Sequence, residues 1–124
     1  MTVDGVRRLP LFVFGTLRRG ERNHHYLLGR FTAVCGATLP GYAVVAPLMI
    51  DRREGGTVSG ELFELDGSRF DETLADVDSL EGISPGDTRG PDYERAVVRV
   101  EAGGRVVEAY AYVAAGRSLA AEDP

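Results

Sequence analysis

Two short stretches of the sequence combine residue types that could support chemistry. One is Phe14-Gly15-Thr16-Leu17-Arg18-Arg19-Gly20, where an apolar run of β-formers breaks at a glycine. A glycine at the end of a buried strand lets backbone amides approach a ligand, and such amides bind a carboxylate or stabilise an oxyanion. The stretch lacks GxGxxG spacing and a phosphate-loop lysine, so it does not read as a nucleotide site. The same residues also fit an ordinary turn. The other stretch ends at Glu81. Around a helical wheel with Phe70 at zero, Leu74 falls at about +40°, Val77 at about −20° and Leu80 at about −80°, which defines an apolar face. Glu81 falls at about +20°, inside that face, whereas Asp71, Asp76 and Asp78 lie at its edge or outside. Desolvation there favours the protonated carboxyl and raises its pKa, which poises it for proton transfer near neutrality. Two other readings fit Glu81: a last-turn side chain that turns to solvent, and a buried ion pair with an arginine such as Arg95.

Other reactive residues carry less. His24 and His25 are adjacent and point about 100° apart on a helix, which makes them poor joint metal ligands. Cys35 lies in a β-like apolar stretch and reads as a packed core residue. No GxSxG elbow is present, and Ser79 and Ser84 have no evident triad partner. Tyr110 and Tyr112 share a strand face and read as core or rim packing.

Composition removes several chemistries. The 124 residues carry 14 basic and 19 acidic side chains, a net charge of −5, and every basic residue is arginine. Without lysine there is no Schiff-base or lysine general-base route. The acidic balance argues against a non-specific nucleic-acid binder, though a local arginine cluster could bind an anion. Cys35, the single cysteine, forms no intramolecular disulfide and supplies no cysteine-rich metal site. A reduced cytoplasmic setting follows as the expectation. The opening MTVDGVRRLPLFVFG has an apolar run too short for a secretory leader, no stretch reaches the roughly 18 apolar residues of a membrane span, and the closing AAEDP is expected to fray. No feature specifies an oligomeric state.

The elements that position these residues follow from pattern. Leu9 to Phe14 is a continuous apolar run that suits a strand buried on both faces. After GTLRRGERN, Asn23 starts a segment, HHYLLG, that can make two helical turns ending at Gly29. Residues 31 to 50, punctuated by Gly36, Pro40, Gly41 and Pro47, read as two short bent strands. Thr57 to Leu65 reads as another strand, with Gly60 marking a bulge or a close backbone approach. Ser68 is placed to cap a helix that ends near Gly82, with Asp71 three residues on. ISPGDTRGPD is an exposed loop, and Tyr93 to Ala102 and Arg105 to Ala114 form a hairpin around Gly103-Gly104. Strands without regular βαβ alternation give one α+β domain over residues 1–124, a small curled sheet or barrel.

FVFGTLRRG, a helix ending in VDSLEG, and a strand opening DYERAVVRV occur in that order. Together they resemble the γ-glutamylcyclotransferase-like family, in the compact branch of γ-glutamylamine cyclotransferases, AIG2-like proteins and the butirosin-pathway cyclotransferase. The resemblance covers residues 9 to 114. It implies a small mixed β-barrel flanked by two or more short helices, a cavity at one end, no metal or cofactor, and release of 5-oxoproline from a small-molecule γ-glutamyl substrate. Through it, Glu81 takes the position of the catalytic glutamate. Phe14, Gly15, Thr16 and Leu17 take that of the loop holding the glutamyl group, with Phe14 in place of the commoner tyrosine. Tyr93 and Arg95 take that of the aromatic-x-Arg segment. Tyr93 reads as a pocket wall or hydroxyl donor. Arg95 is left to the glutamyl carboxylate, to Glu81 or to an exposed acid. Arg18 and Arg19 lie near the cradle. Contacts to the substrate's tail are expected from residues 51 to 56 and 83 to 92. A non-catalytic binding domain on the same scaffold, or a hydrolase using water, fits the same residues.

Overall fold

The computed structural model describes residues 7–115; the closing AAEDP and the first six residues of the opening stretch lie outside them. Five strands, β1 (Leu11–Val13), β2 (Phe31–Ala46), β3 (Met49–Leu65), β4 (Tyr93–Ala102) and β5 (Arg105–Ala114), close into a barrel in the order β1-β3-β2-β4-β5. β1 runs parallel to β5 and all other pairs are antiparallel, so the barrel is mixed. One helix, α1 (Phe70–Leu80), and two single 3₁₀ turns, His24–Tyr26 and Gly67–Arg69, flank it. Among the described residues no helix is long and apolar enough to cross a membrane.

β1 shows why the opening apolar run has no alternation. Side chains of a strand point to opposite faces in turn. Phe12 joins Leu39, Ile50, Val58 and Val100 in the barrel interior, while Leu11 and Val13 pack outward with Phe70, Leu74 and Val77 of α1. Both faces are covered, as a continuous apolar strand requires. Gly60 of β3 permits this close docking: a Cβ there would stand 2.2 Å from the Val13 carbonyl oxygen. The hairpin of β4 and β5 keeps an unbroken register from Tyr93↔Ala114 to Ala102↔Arg105. Its turn residues Gly103 and Gly104 both have positive φ, 59° and 79°, the geometry that matches strand twist.

Several expectations are corrected. Residues 31 to 46 form one 16-residue strand, not two short ones. Pro40 and Gly41 mark a register shift, and the pairing passes from Pro40↔Thr57 to Tyr42↔Arg52. The chain thus bends without leaving the sheet. Residues 51 to 56 accordingly belong to β3 and are not a loop. Ser68 does not cap α1: Asp66 caps the 3₁₀ turn before it, its Oδ1 accepting the Ser68 amide at 3.0 Å and the Ser68 hydroxyl at 2.8 Å, and α1 itself starts behind Arg69 with no side-chain cap. The HHYLLG segment forms a single 3₁₀ turn followed by turns to Gly29, shorter than two helical turns. Cys35 is exposed, not packed. β2 pairs with β4 only at Thr38↔Glu101, so the stretch carrying Cys35 has no strand on its other edge.

Gly60→Ala should therefore destabilise the protein by about 1–3 kcal/mol. Urea unfolding should show a lower midpoint with an unchanged slope. Gly36→Ala, where nothing lies within 4 Å of the added Cβ, should leave the midpoint nearly unmoved.

Candidate active site

A cavity of about 250 Å³ opens at one end of the barrel, between the end of β1, the end of α1 and the tip of the β2–β3 hairpin. Phe14, Gly15, Thr16, Leu17, Tyr93 and Glu81 all line it, so six of the seven residues singled out in the sequence meet at one place.

The loop after β1 is held by its neighbours. The Thr16 carbonyl accepts the Asn23 amide at 2.9 Å, and the Thr16 hydroxyl accepts from Asn23 Nδ2, also at 2.9 Å. His24 Nδ1 lies 3.1 Å from the Leu17 carbonyl, its ring against Phe31 and Phe63. His24 thus clamps the loop from behind. The amides of Gly15, Thr16 and Leu17 find no intramolecular acceptor among the described residues. Three successive residues that line a cavity and carry unpaired amides offer donors of the kind that bind a carboxylate or a carbonyl oxygen. Arg18 and Arg19 are tied down beside it, Arg18 Nε on the Gly15 carbonyl at 3.1 Å and Arg19 on Glu61 at 3.0 Å.

Glu81 is placed by the way α1 stops. Its amide still bonds the Val77 and Asp78 carbonyls, at 3.1 and 3.0 Å. Gly82 then turns to φ +81°, its amide bonds Ser79 O at 3.1 Å, and Ile83 returns its amide to Asp78 O at 2.9 Å. This is a Schellman ending, and buried Ile83 packs beside Val77 as the accompanying apolar contact. Fraying is suppressed, and the carboxyl stays on the inward face. Burial, reinforced by the negative charge of Asp78, raises the Glu81 pKa from 4.5 to about 7.

Asp78 itself is a correction. The wheel put it at the edge of the apolar face, yet it is the one charged residue buried among the described residues. Arg95 Nη1 donates to its Oδ2, and the Tyr112 hydroxyl donates to its Oδ1 at 2.5 Å. Arg95 is therefore engaged behind the wall and does not line the cavity, contrary to its expected place among the substrate contacts. Burial, then the Asp78 charge, pushes the Tyr112 hydroxyl far above the ordinary tyrosine range, which keeps it a donor. Tyr93 is raised by burial and by Glu81. Its hydroxyl donates to the Leu48 carbonyl at 2.8 Å, so Tyr93 is a wall that also tethers the hairpin tip over the cavity.

Sequence reasoning missed Asp78, Tyr112, Asn23, Arg22 and Leu48 at this site. Only Asp78 left a signal, since it precedes Glu81 by one helical turn. Neither 51–56 nor 83–92 reaches the cavity; Leu48 supplies the outer wall instead.

Known proteins that resemble this chain give its family and its fold. The family model described as "Gamma-glutamyl cyclotransferase, AIG2-like" matches residues 11–124. The chain is similar to Gamma-L-glutamyl-butirosin B gamma-glutamyl cyclotransferase of Niallia circulans, 34% identical over 109 residues, covering 83% of this chain and 65% of that protein. It thus spans just under two thirds of that relative's length. A protein of Methanocaldococcus jannaschii with a provisional gamma-glutamylcyclotransferase name is 32% identical over 108 residues, covering 82% of this chain and 81% of its own. The crystal structure of YkqA from Bacillus subtilis superposes with a TM-score of 0.67 at 24% identity over 87% of this chain and 36% of that one. A solution structure from Arabidopsis thaliana gives 0.62 at 24% identity, over 92% of this chain and 66% of that one. These two likenesses are of fold.

Two stability measurements probe the site. Asp78→Asn leaves the Arg95 charge buried without its partner and should cost about 3–5 kcal/mol in chemical denaturation. Glu81 has a raised folded pKa, so the stability it allows is full below pH 4.5 and is lost as pH rises through about 7. Glu81→Gln should therefore gain stability over the parent progressively across that window, by about 1 kcal/mol after solvent screening at the cavity mouth, and the gain should level off above it.

Proposed function

The chain belongs to the AIG2-like γ-glutamyl cyclotransferase family, and from that premise we propose that it releases 5-oxoproline and a free amine from a γ-glutamyl amide, with Glu81 as general base and acid. The observation that carries this reading is one cavity holding both a row of unpaired amides and a carboxyl poised near neutrality.

The chemistry needs little from the protein. The α-amine of the substrate attacks its own γ-carbonyl carbon, the new C–N bond closes a five-membered lactam, and the bond to the departing nitrogen breaks. Holding the chain folded back on itself supplies the proximity that an external nucleophile would otherwise need. Glu81, ionised, takes a proton from the substrate ammonium so that the amine can attack. It returns that proton to the departing nitrogen as the tetrahedral species collapses, and the second ammonium proton, left on the ring nitrogen after attack, passes the same way, so the products are a neutral lactam and a protonated amine. Protons and atoms balance without water and without a protein nucleophile. A pKa near 7 suits both halves of that duty, because the group must be a base in one step and an acid in the next.

The amides of Gly15, Thr16 and Leu17 hold the glutamyl head and face the charge that develops on the carbonyl oxygen. Phe14 and Tyr93 wall the head in, and Tyr112 supports Asp78 from the floor. Arg95 acts through Asp78, as a positioning residue.

Product analysis on a panel of γ-glutamyl amides tests this. The expected product is 5-oxoproline, and Glu81→Gln should lower its release by roughly 10²–10⁴-fold while the variant stays folded and still binds the substrates. Free glutamate would mean water attack, binding without product would mean a non-catalytic domain, and activity within tenfold of the parent in Glu81→Gln would remove the carboxyl from the mechanism.

A further inference from the structure

The arginines around the cavity are already occupied, except one. Arg95 is bonded to Asp78, Arg19 to Glu61, and Arg18 to the Gly15 carbonyl, with Glu21 at 3.7 Å. Arg22 also lines the cavity, is exposed, and has no carboxylate within ion-pair distance among the described residues. Its neighbour Glu21 is engaged with Arg18, so nothing adjacent neutralises it. Its backbone is fixed all the same, because its carbonyl lies 3.2 Å from His25 Nδ1 and the next residue, Asn23, is bonded twice to Thr16. Leu48, 44% exposed, lines the same cavity. Its Cδ2 would lie 3.7 Å from a Cβ on Gly15, and its carbonyl is tethered by Tyr93.

The cavity lining thus includes both an apolar arm and a guanidinium with no carboxylate partner among the described residues. If the amides of Gly15 to Leu17 hold the glutamyl head, whatever is attached to the γ-nitrogen leaves past these two groups. We propose that Arg22 is a specificity-determining residue that recognises an anionic group on the departing amine and disfavours a cationic one. This rests on the function proposed above, since it assigns the amide cradle to the head and the mouth to the tail. A guanidinium suits this role, because it stays charged at all working pH values and forms paired hydrogen bonds to a carboxylate. Discrimination comes from both signs, attraction of an acidic tail and repulsion of a basic one. Being solvent-exposed, the contact should weaken with added salt.

The test uses three amides with the same γ-glutamyl head: γ-glutamylglycine with an anionic tail, γ-glutamyl methylamide with a neutral one, and mono-γ-glutamyl ethylenediamine with a cationic one. The expected order of kcat/KM is anionic, neutral, cationic. Arg22→Met should cut the anionic-to-neutral ratio about two- to fivefold, and Arg22→Glu should reverse the order. An equal loss on all three amides would place Arg22 on the glutamyl head, and an unchanged order would remove it from recognition; either result overturns the proposal. Dissociation constants for the same amides on Glu81→Gln, with and without Arg22→Met, read tail recognition without turnover. A charge ranking in Kd that Arg22→Met abolishes, with no 5-oxoproline formed by the parent, would contradict the catalytic reading while sustaining the role of Arg22. No charge ranking in Kd would overturn that role whether or not the parent turns over.

Discussion

The site depends on one buried carboxylate, Asp78, gripped by Arg95 from β4 and Tyr112 from β5. A buried ion pair is in general a weak source of net stability, because desolvation offsets most of its attraction. Its value here is positional. The side chain of Asp78 fixes the last turn of α1 onto the barrel wall, while its carbonyl receives the amides of Glu81 and Ile83. One residue therefore sets where the helix ends and which way the next carboxyl faces. Its charge then acts on Glu81, adding to the burial that raises the pKa. Orientation and proton affinity are controlled from the same point.

The opposite wall is built by different means. β1 is only three residues long, and its pairing with β5 rests on a single register pair, Leu11↔Tyr110, with the Tyr110 amide on the Pro10 carbonyl at 2.8 Å. Two devices let so short a strand carry a loop with unpaired amides. Gly60 allows β3 to lie against it without a side chain between them, and Asn23 and His24 hold the loop from outside. The cradle and the carboxyl thus stand on separate walls of a closed barrel. Rigid elements hold a constellation more precisely than loops do.

Much of this was legible in the sequence, and the rest was not for reasons that particular residues make plain. The Gly103-Gly104 hairpin, the doubly buried β1 and the inward face of Glu81 are local patterns, readable from turn chemistry and periodicity alone. Gly60 announced a close approach, though not its partner. Asp78 was misplaced because a wheel reports only angle, and an edge position becomes buried when a neighbour reaches over it; Arg95 and Tyr112 lie 17 and 34 residues away in sequence. Pro40 and Gly41 read as breaks because the sequence cannot show that a partner strand bulges in step with them. Cys35 looked like core by its neighbours, but whether a strand edge is covered is a property of the whole sheet. Leu48 and Arg22 reach the cavity only once the hairpin tip and the loop after β1 have been folded toward each other.

The central claim is that Glu81, held inward by the end of α1, is the group that moves the proton. It is tested most directly by titrating the Glu81 side-chain carboxyl by ¹³C NMR in the free protein and setting that curve beside the pH dependence of kcat/KM for 5-oxoproline release. Coincident titrations near pH 7, with the rate rising as Glu81 ionises, are the expected result. A Glu81 carboxyl that titrates in the ordinary range around 4.5, or a rate that is indifferent to its ionisation, would contradict the account.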